Sequence, residues 1–491
     1  MNFNVAQFYA DWQTILPECF LMVWALGLIA AAVFSRCPEG NCSGRFATWA
    51  LIGTLGTAAW VALTADGAAF GGTFVFDRLA VVFKEIVLLA VMLTVVSSIG
   101  TVRRLRAHRG EYYGMLLLSA VGMMLMVSAT ELLTLYIAIE LSTIALMVLA
   151  AYRKTSPKSA EAGLKYVILG AISSAILLYG IALLYGLTRT TELLAIKDAL
   201  TAMYMTQGGF PPAVVLAVIL LIGGFGFKLA LAPFHMWAPD VYEGAPTPIT
   251  AFLSVASKGA ALAAFVRVFF VGLDPAQTIW VQAIAALAAL AMIIGNLTAI
   301  VQTNIKRMLA YSSIAQVGYI LVGAVALNSW GTAAMAYYML AYLFANMGAF
   351  MCVIAFSDRT ESDEIEDYSG LSRRSPMLAA LFTLFLLSLT GIPPTAGFLA
   401  KYYVFAAAIK AGHLWLVIIA LLTSVAALFY YANVIKKMYF AADQPEGGVA
   451  LAPSMTIVLV IAAVGVLYLG ILPGPFVDWV KGAAEMLLAG L

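Results

Sequence analysis

"FGFKLALAPFHMW" (residues 225–237) sets one lysine, Lys228, in an apolar run that Pro233 interrupts. A cation there is cheap in water and costly in lipid, so its surroundings decide the fold. Of the 491 residues, 63% are hydrophobic and 11% charged, with a mean hydropathy of +0.97. Soluble globular chains carry about 45–50% apolar and roughly 25% charged residues, so this composition belongs in a bilayer. A net charge of +2 and no Lys/Arg-rich tail argue against a nucleic-acid partner.

Fourteen apolar stretches are long enough to cross a ~30 Å hydrocarbon core as helix. They fall at 15–34, 46–64, 79–100, 113–130, 132–152, 162–187, 213–233, 248–273, 279–300, 308–327, 331–356, 377–409, 414–440 and 455–472. The expected fold is therefore an all-α, polytopic membrane protein with about 14 transmembrane helices. The first stretch lacks a basic flank and is followed by "FSRCPEG" and further spans, so it reads as a membrane helix, not a signal peptide. With the N-terminus outside, seventeen Lys/Arg fall in or beside cytoplasmic loops and five outside. The positive-inside rule selects that orientation. The loop at 234–247 is the one cytoplasmic loop without a basic residue.

Four cysteines (Cys19, Cys37, Cys42, Cys352) are too few and too scattered for a disulfide framework. The isolated Cys37-x4-Cys42 pair reads as two loop thiols. An iron–sulfur cluster wants four thiolates, and His108, His235 and His413 stand far apart in sequence for a haem. "GGFGFK" opens no βαβ unit, so no dinucleotide site is expected. No cofactor is expected in this chain.

Five basic residues fall well inside spans: Lys84, Lys228, Lys258, Arg267 and Lys401. An intramembrane charge costs about 2.5–3.5 kcal/mol on insertion scales, so such groups mark functional paths. Lys228 lies roughly 22 Å into its helix at 1.5 Å per residue, too deep for easy snorkelling. Lys258, in "FLSVASKGAALAAF", sits near the centre of its run between small residues that suit a helix–helix interface. Lys401 follows "GIPP" (391–394), and those prolines must break a run that would be ~50 Å as one helix. Glu140, in "LYIAIELSTIAL", has a side chain too short to reach water. Lys84 and Glu85 are expected to pair with neighbours or reach water, Glu18 lies near the start of the first span, and Arg267 is expected to snorkel.

Broken helices leave backbone groups that lipid cannot satisfy, so breaks beside buried charges suggest a hydrated interior. The breaks also recur. The fourth to eighth and ninth to thirteenth spans form two five-helix sets, each with its fourth member interrupted, at Pro233 and at Pro393-Pro394. An odd number of helices inverts the second set, the pattern of inverted repeats. The expected organisation is a three-helix segment at 1–112, repeats at 113–273 and 274–440, and a last helix and tail at 441–491. Lysines joined by water and by Ser254, Ser257, Gln302, Ser312, Ser313, Gln316 and Thr390 would make a proton wire.

"FGFKLALAPFHMWAPDVYEGAPTPITAFLSVASKGAA", "KRMLAYSSIAQVGYILVG", "DYSGLSRRSPMLA" and "LTGIPPTAGFLAKYYVF" together resemble the N subunits of proton-pumping NADH–quinone oxidoreductase (respiratory complex I), over residues 113–440. That superfamily also holds subunits L and M and the Mrp-type cation/proton antiporters. The resemblance to N is closest: L carries a long lateral helix where some 19 residues follow the last span here, and M has a glutamate at the place of Lys401. The resemblance implies that Glu140 pairs with Lys228, that Lys258 is the central relay lysine, and that Lys401 exchanges protons with the outside. It also makes His235 and Gln316 candidate relay positions, although many relatives carry histidine where this chain has Gln316. It implies further membrane subunits as partners, an antiporter-like neighbour and small subunits among them, with NADH, FMN, iron–sulfur clusters and quinone in partner subunits. The implied location is the bacterial inner membrane. Two other readings compete: an Mrp-like antiporter driven by an ion gradient, and a membrane scaffold that would leave three buried lysines unexplained.

Overall fold

The structure, a computed structural model, describes residues 5–34, 42–64, 67–104, 109–440, 448 and 451–489. Arg36, Cys37, Arg106, His108 and the side chain of Cys42 lie outside the described residues. In chain order come α1 (Val5–Thr14), α2 (Leu16–Phe34), α3 (Cys42–Thr64), strands β1 (Gly67–Ala69) and β2 (Phe74–Phe76), α4 (Arg78–Arg104), α5 (Arg109–Ser128), α6 (Leu132–Ala150) and α7 (Pro157–Thr188). Then follow α8 (Leu193–Gln207), α9 (Pro212–Leu229), α10 (Trp237–Gly244), α11 (Thr247–Phe252), α12 (Lys258–Val266), α13 (Gln277–Ile300), α14 (Ile305–Val322) and α15 (Ser329–Thr360). The chain closes with α16 (Leu371–Arg374), α17 (Pro376–Thr390), α18 (Ala396–Lys410), α19 (Leu414–Phe440), α20 (Pro453–Ile471) and α21 (Gly474–Ala489).

Twelve helices among the described residues are long and apolar enough to span a bilayer, with shorter apolar helices at Leu16–Ala32 and Pro376–Thr390. They account for the fourteen expected spans. Helix starts are marked by side-chain caps: Ser156 accepts from the Ser159 amide, Asn304 from Lys306 and Arg307, and Asn328 from Gly331. Proline opens α7, α9, α17 and α20, where its missing N–H would be unpaired anyway.

Alternating spans sort the connections onto two faces, and the bridges between loops respect that sorting. Phe74 pairs with Ala129 and Glu131 with Glu192 on the face that carries α1, while Asn304 pairs with Glu364 on the opposite face. That opposite face carries most of the basic residues. There α10, the segment without a basic residue, collects its neighbours' cations: Asp240 holds Lys165 and Arg307 at 2.6 and 2.7 Å, and Glu243 holds Lys158 at 2.8 Å. The innermost helices are the π-interrupted α11–α12, α14 and α15; α3, α7, α13, α19 and α20 form an apolar outer ring with exposed side chains such as Ile172, Leu422 and Ile457.

Two features depart from the expectation, and a third meets it. The segment Gly67–Phe76 forms a short antiparallel hairpin in an otherwise helical fold. The eighth span is not a plain α-helix, because Leu253–Ser257 and Arg267–Gly272 are π-helical. The run 377–409 divides as its prolines require, into α17 and α18, with Gly391 ending α17 at φ +91°. Gly397 is needed at this second break: a Cβ there would lie 1.8 Å from the Ser388 carbonyl oxygen.

Candidate functional site

Lys228 occupies the last turn of α9. Ala230 ends that helix in the left-handed region at φ 57°. The freed carbonyls are taken up locally, Gly226 by the Leu231 amide at 2.7 Å and Phe227 by the Trp237 indole at 3.0 Å. The break therefore costs few unpaired groups. Lys228 is 6% exposed, and its Nζ donates to Thr143 Oγ1 at 2.6 Å and Ser142 Oγ at 3.1 Å on α6. Glu140, one turn away on α6, accepts from Ser174 Oγ at 2.6 Å, and Tyr136 bonds the same hydroxyl at 2.8 Å. Glu140 and Lys228 line one cavity with about 20 Å³ open to water centres, room for a single water. They share that cavity without a direct ion pair; hydroxyls take two of the lysine's three donors. Both breaks carry a cis X–Pro bond, at Ala232–Pro233 and Pro393–Pro394.

Lys258 begins α12 straight after the first π-helical stretch. Its Nζ donates to Ser313 Oγ at 2.6 Å and to the Ser313 carbonyl at 3.1 Å, and Tyr342 donates to the same hydroxyl at 2.8 Å. The Tyr242 ring faces the ammonium at 5.9 Å. A π insertion re-aims side chains within a helix and recurs at functional sites.

Helix α14 then carries the polar series towards the second break. Gln316 donates to the Leu389 carbonyl at 2.9 Å and accepts from Tyr338 at 2.6 Å. The next carbonyl, Thr390, accepts from Lys401 Nζ at 2.7 Å, and Ser424 Oγ accepts from the same ammonium at 2.7 Å. Tyr319, one turn beyond Gln316, places its ring 4.5 Å from that Nζ and its hydroxyl within 2.9 Å of Asn296. So α14 gives Ser313 to Lys258 and Tyr319 to Lys401. His235 lies within the first break, nearly buried, with Nδ1 unpartnered; it bonds neither lysine.

Two further buried cations are paired with carboxylates. Lys84 meets Glu18 of α2 at 2.6 Å, under the rings of Phe74 and Phe76. Arg267 does not snorkel. It is 2% exposed, donates to the Val127 carbonyl at 2.7 Å and pairs with Asp77 at 2.7 Å, because a partner on the β2–α4 connection is nearer than water. Sequence reasoning missed the tyrosines and hydroxyls around the lysines, namely Tyr136, Ser142, Thr143, Tyr319, Tyr338, Tyr342 and Ser424. Their signal was polar atoms inside apolar runs, which is weak without knowing the facing helix. Among the described residues no group of three His, Cys, Asp or Glu could hold a metal.

Two broken helices, each with a buried lysine, and a third lysine on the axis between them define an antiporter-like membrane subunit. Residues 129–427 match the family described as NADH:quinone oxidoreductase/Mrp antiporter, TM. The NADH-quinone oxidoreductase subunit N of Moorella thermoacetica is 45% identical over 477 residues, covering 97% of this chain and 98% of the relative. A chain of respiratory complex I from Thermus thermophilus superposes with a TM-score of 0.78 at 34% identity, over 94% of this chain and 98% of its own. A chain of the Mrp complex from Dietzia sp. shares the fold, with a TM-score of 0.82 at 21% identity over 97% and 98% of the two chains. The chain belongs to the NADH:quinone oxidoreductase/Mrp antiporter family, among the N subunits of NADH-quinone oxidoreductases.

Proposed function

We propose that this chain is a proton-translocating membrane subunit of a bacterial NADH–quinone oxidoreductase, moving protons along Glu140, Lys228, Lys258 and Lys401 while quinone is reduced elsewhere in the complex. NADH, FMN, iron–sulfur clusters and quinone belong to partner subunits, and an antiporter-like neighbour and small membrane subunits flank the chain. The N-terminus faces outward, which puts the basic face in the cytoplasm, as the positive-inside rule requires. The domain reading is a three-helix segment at 1–112, two repeats at 113–273 and 274–440, and a terminal helix and tail at 441–491.

The observation that carries the reading is the placement of α14 between two buried lysines, with Ser313 bonded to Lys258 and Tyr319 against Lys401. An ammonium there loses a proton to a water or hydroxyl oxygen that passes on its own, and the neutral amine is ready for the next. Burial favours the neutral amine and a nearby carboxylate the charged one, so a change in the Glu140–Lys228 separation would bias whether that lysine holds its proton. His235 and Gln316 act by ordering water; glutamine carries protons poorly.

The test is to extract the membranes in mild detergent, separate native complexes, and ask whether the chain co-migrates with NADH–quinone reductase activity. Co-migration supports the reading. Migration alone, or with other antiporter chains in a fraction that exchanges cations for protons without NADH, replaces it with a gradient-driven exchanger.

A further inference from the structure

On the basic face a second cavity, outside the lysine axis, has about 330 Å³ open to water centres. It lies between the end of α4 (Thr101, Arg104), the loop after α6 (Arg153), the start of α11 (Thr247), the end of α15 (Ile354, Ser357, Asp358) and the residues just beyond, Glu361 and Asp363. Arg104, Arg153 and Arg359 are the cations whose charge reaches Asp358. That volume holds a cluster of waters, and the lining is charged and polar. Asp358 is held from the α4 side: Thr101 Oγ1 donates to its carboxylate at 3.4 Å and Arg104 stands 3.7 Å away. Asp363 accepts from Ser357 Oγ at 2.7 Å and lies 3.6 Å from the buried Lys306.

Two polar tracks lead inward from this cavity. On the span that begins at Thr247, Thr250, Ser254 and Lys258 follow at helical spacing, so Lys258 lies ~16 Å from the cavity wall at 1.5 Å per residue. On α15, Asn346 lies ~18 Å from Asp358 by the same rise, and its Nδ2 donates to Ser254 Oγ at 2.7 Å. One atom on these tracks and one beside them, on α10, are buried without a hydrogen bond: Asn346 Oδ1 and the Tyr242 hydroxyl. The Tyr242 hydroxyl faces Ser313, the acceptor of Lys258, but not in hydrogen-bonding alignment. A buried orphan polar atom is destabilising by about 1–3 kcal/mol unless water satisfies it. Two orphans beside a polar track point to ordered water between the cavity and Lys258.

We propose that this cavity is the aqueous mouth through which Lys258 takes protons from the basic face, with Asp358 as the carboxylate that collects them and the end of α4 holding it in place. A proton arriving on an Asp358 oxygen leaves the side chain neutral. It departs to a cavity water, which restores the carboxylate, and passes by water to the neutral Lys258 amine, which becomes ammonium. The first three spans would thus shape the mouth as well as pack against the repeats. The inference rests on the proposed function for its direction, from cytoplasm inward.

The test uses the whole complex in membrane vesicles, with the four native cysteines replaced and Thr247→Cys or Ile354→Cys introduced. The probe is a cationic, membrane-impermeant methanethiosulfonate. Reaction from inverted vesicles, with NADH-driven proton uptake falling severalfold against the same variant unlabelled, supports the mouth. So does an Asp358→Asn variant that assembles, pumps severalfold less, and recovers with Asp358→Glu, together with a shifted pH profile of pumping. No reaction at either position from either face, although the detergent-denatured chain reacts, overturns it. Reaction without loss of pumping overturns it too, and reaction only from right-side-out vesicles overturns it along with the proposed orientation. If the chain does not co-migrate with the reductase, yet labelling from the basic face blocks its proton transport, the complex reading fails and the mouth stands.

Discussion

Replacing Lys84 by methionine isolates a buried charge in a part of the molecule remote from the lysine axis. Lys84 and Glu18 are 1% and 2% exposed and 2.6 Å apart, and beyond each other the lysine has only the faces of Phe74 and Phe76; the contact itself is close but poorly aligned as a hydrogen bond. At an effective dielectric of about 20, unit charges at that separation attract by roughly 6 kcal/mol. Desolvation removes several kcal/mol per ion, so the pair adds little net stability. Removing one partner leaves the penalty without the attraction. Lys84→Met is therefore expected to destabilise by about 3–5 kcal/mol, whereas Glu18→Leu with Lys84→Met is expected to be neutral or stabilising by about 1–4 kcal/mol. The assay is the thermal midpoint of the detergent-extracted complex for parent, both single variants and the double, which closes a double-mutant cycle. A double variant as unstable as the two single losses added, or a Lys84→Met variant indistinguishable from the parent, would refute the reasoning.

Three further outcomes follow from single contacts. Gly397→Ala, whose Cβ would meet the Ser388 carbonyl at 1.8 Å, should abolish accumulation of the assembled complex, while Gly474→Ala, with nothing within 4 Å, should not; immunoblots of native gels read both. Burial pushes the Asp77 pKa up, but the Arg267 guanidinium and the Ala80 amide outweigh it and hold it below the ordinary carboxylate value. A lowered folded-state pKa means stability present above the ordinary carboxylate range and lost as pH falls through the lowered value. Thermal midpoints between about pH 7 and pH 3 should therefore fall less steeply in Asp77→Asn than in the parent; equal slopes would show that the pair does not titrate with folding. Lys401→Ala should assemble and pump less, and normal pumping by an assembled variant would count against the relay.

The spans and both breaks were legible because hydropathy over some twenty residues and a proline within it are local signals. The lysines were legible for the same reason: a cation in an apolar run stands out alone. What surrounds them was not, since Ser142 and Thr143 become partners of Lys228 only when α6 packs against α9. The family resemblance nominated Glu140 for that role, and the structure gives the contact to its hydroxyl neighbours. Lys84 was expected to pair with a neighbour or reach water, but Glu18 could not be named as that neighbour because nothing in either helix announces the other. Arg267 was expected to reach water because the short connection that supplies Asp77 reads only as a loop. The hairpin Gly67–Phe76 and the π-helical stretches have no periodicity long enough to detect.

The central claim is that a buried lysine on the axis between the breaks carries protons during quinone reduction. The most direct measurement is the number of protons translocated per NADH oxidised in vesicles carrying Lys258→Met, in complexes shown to be assembled. The account predicts that the ratio falls below that of the parent. A parent-level ratio at normal assembly would contradict it.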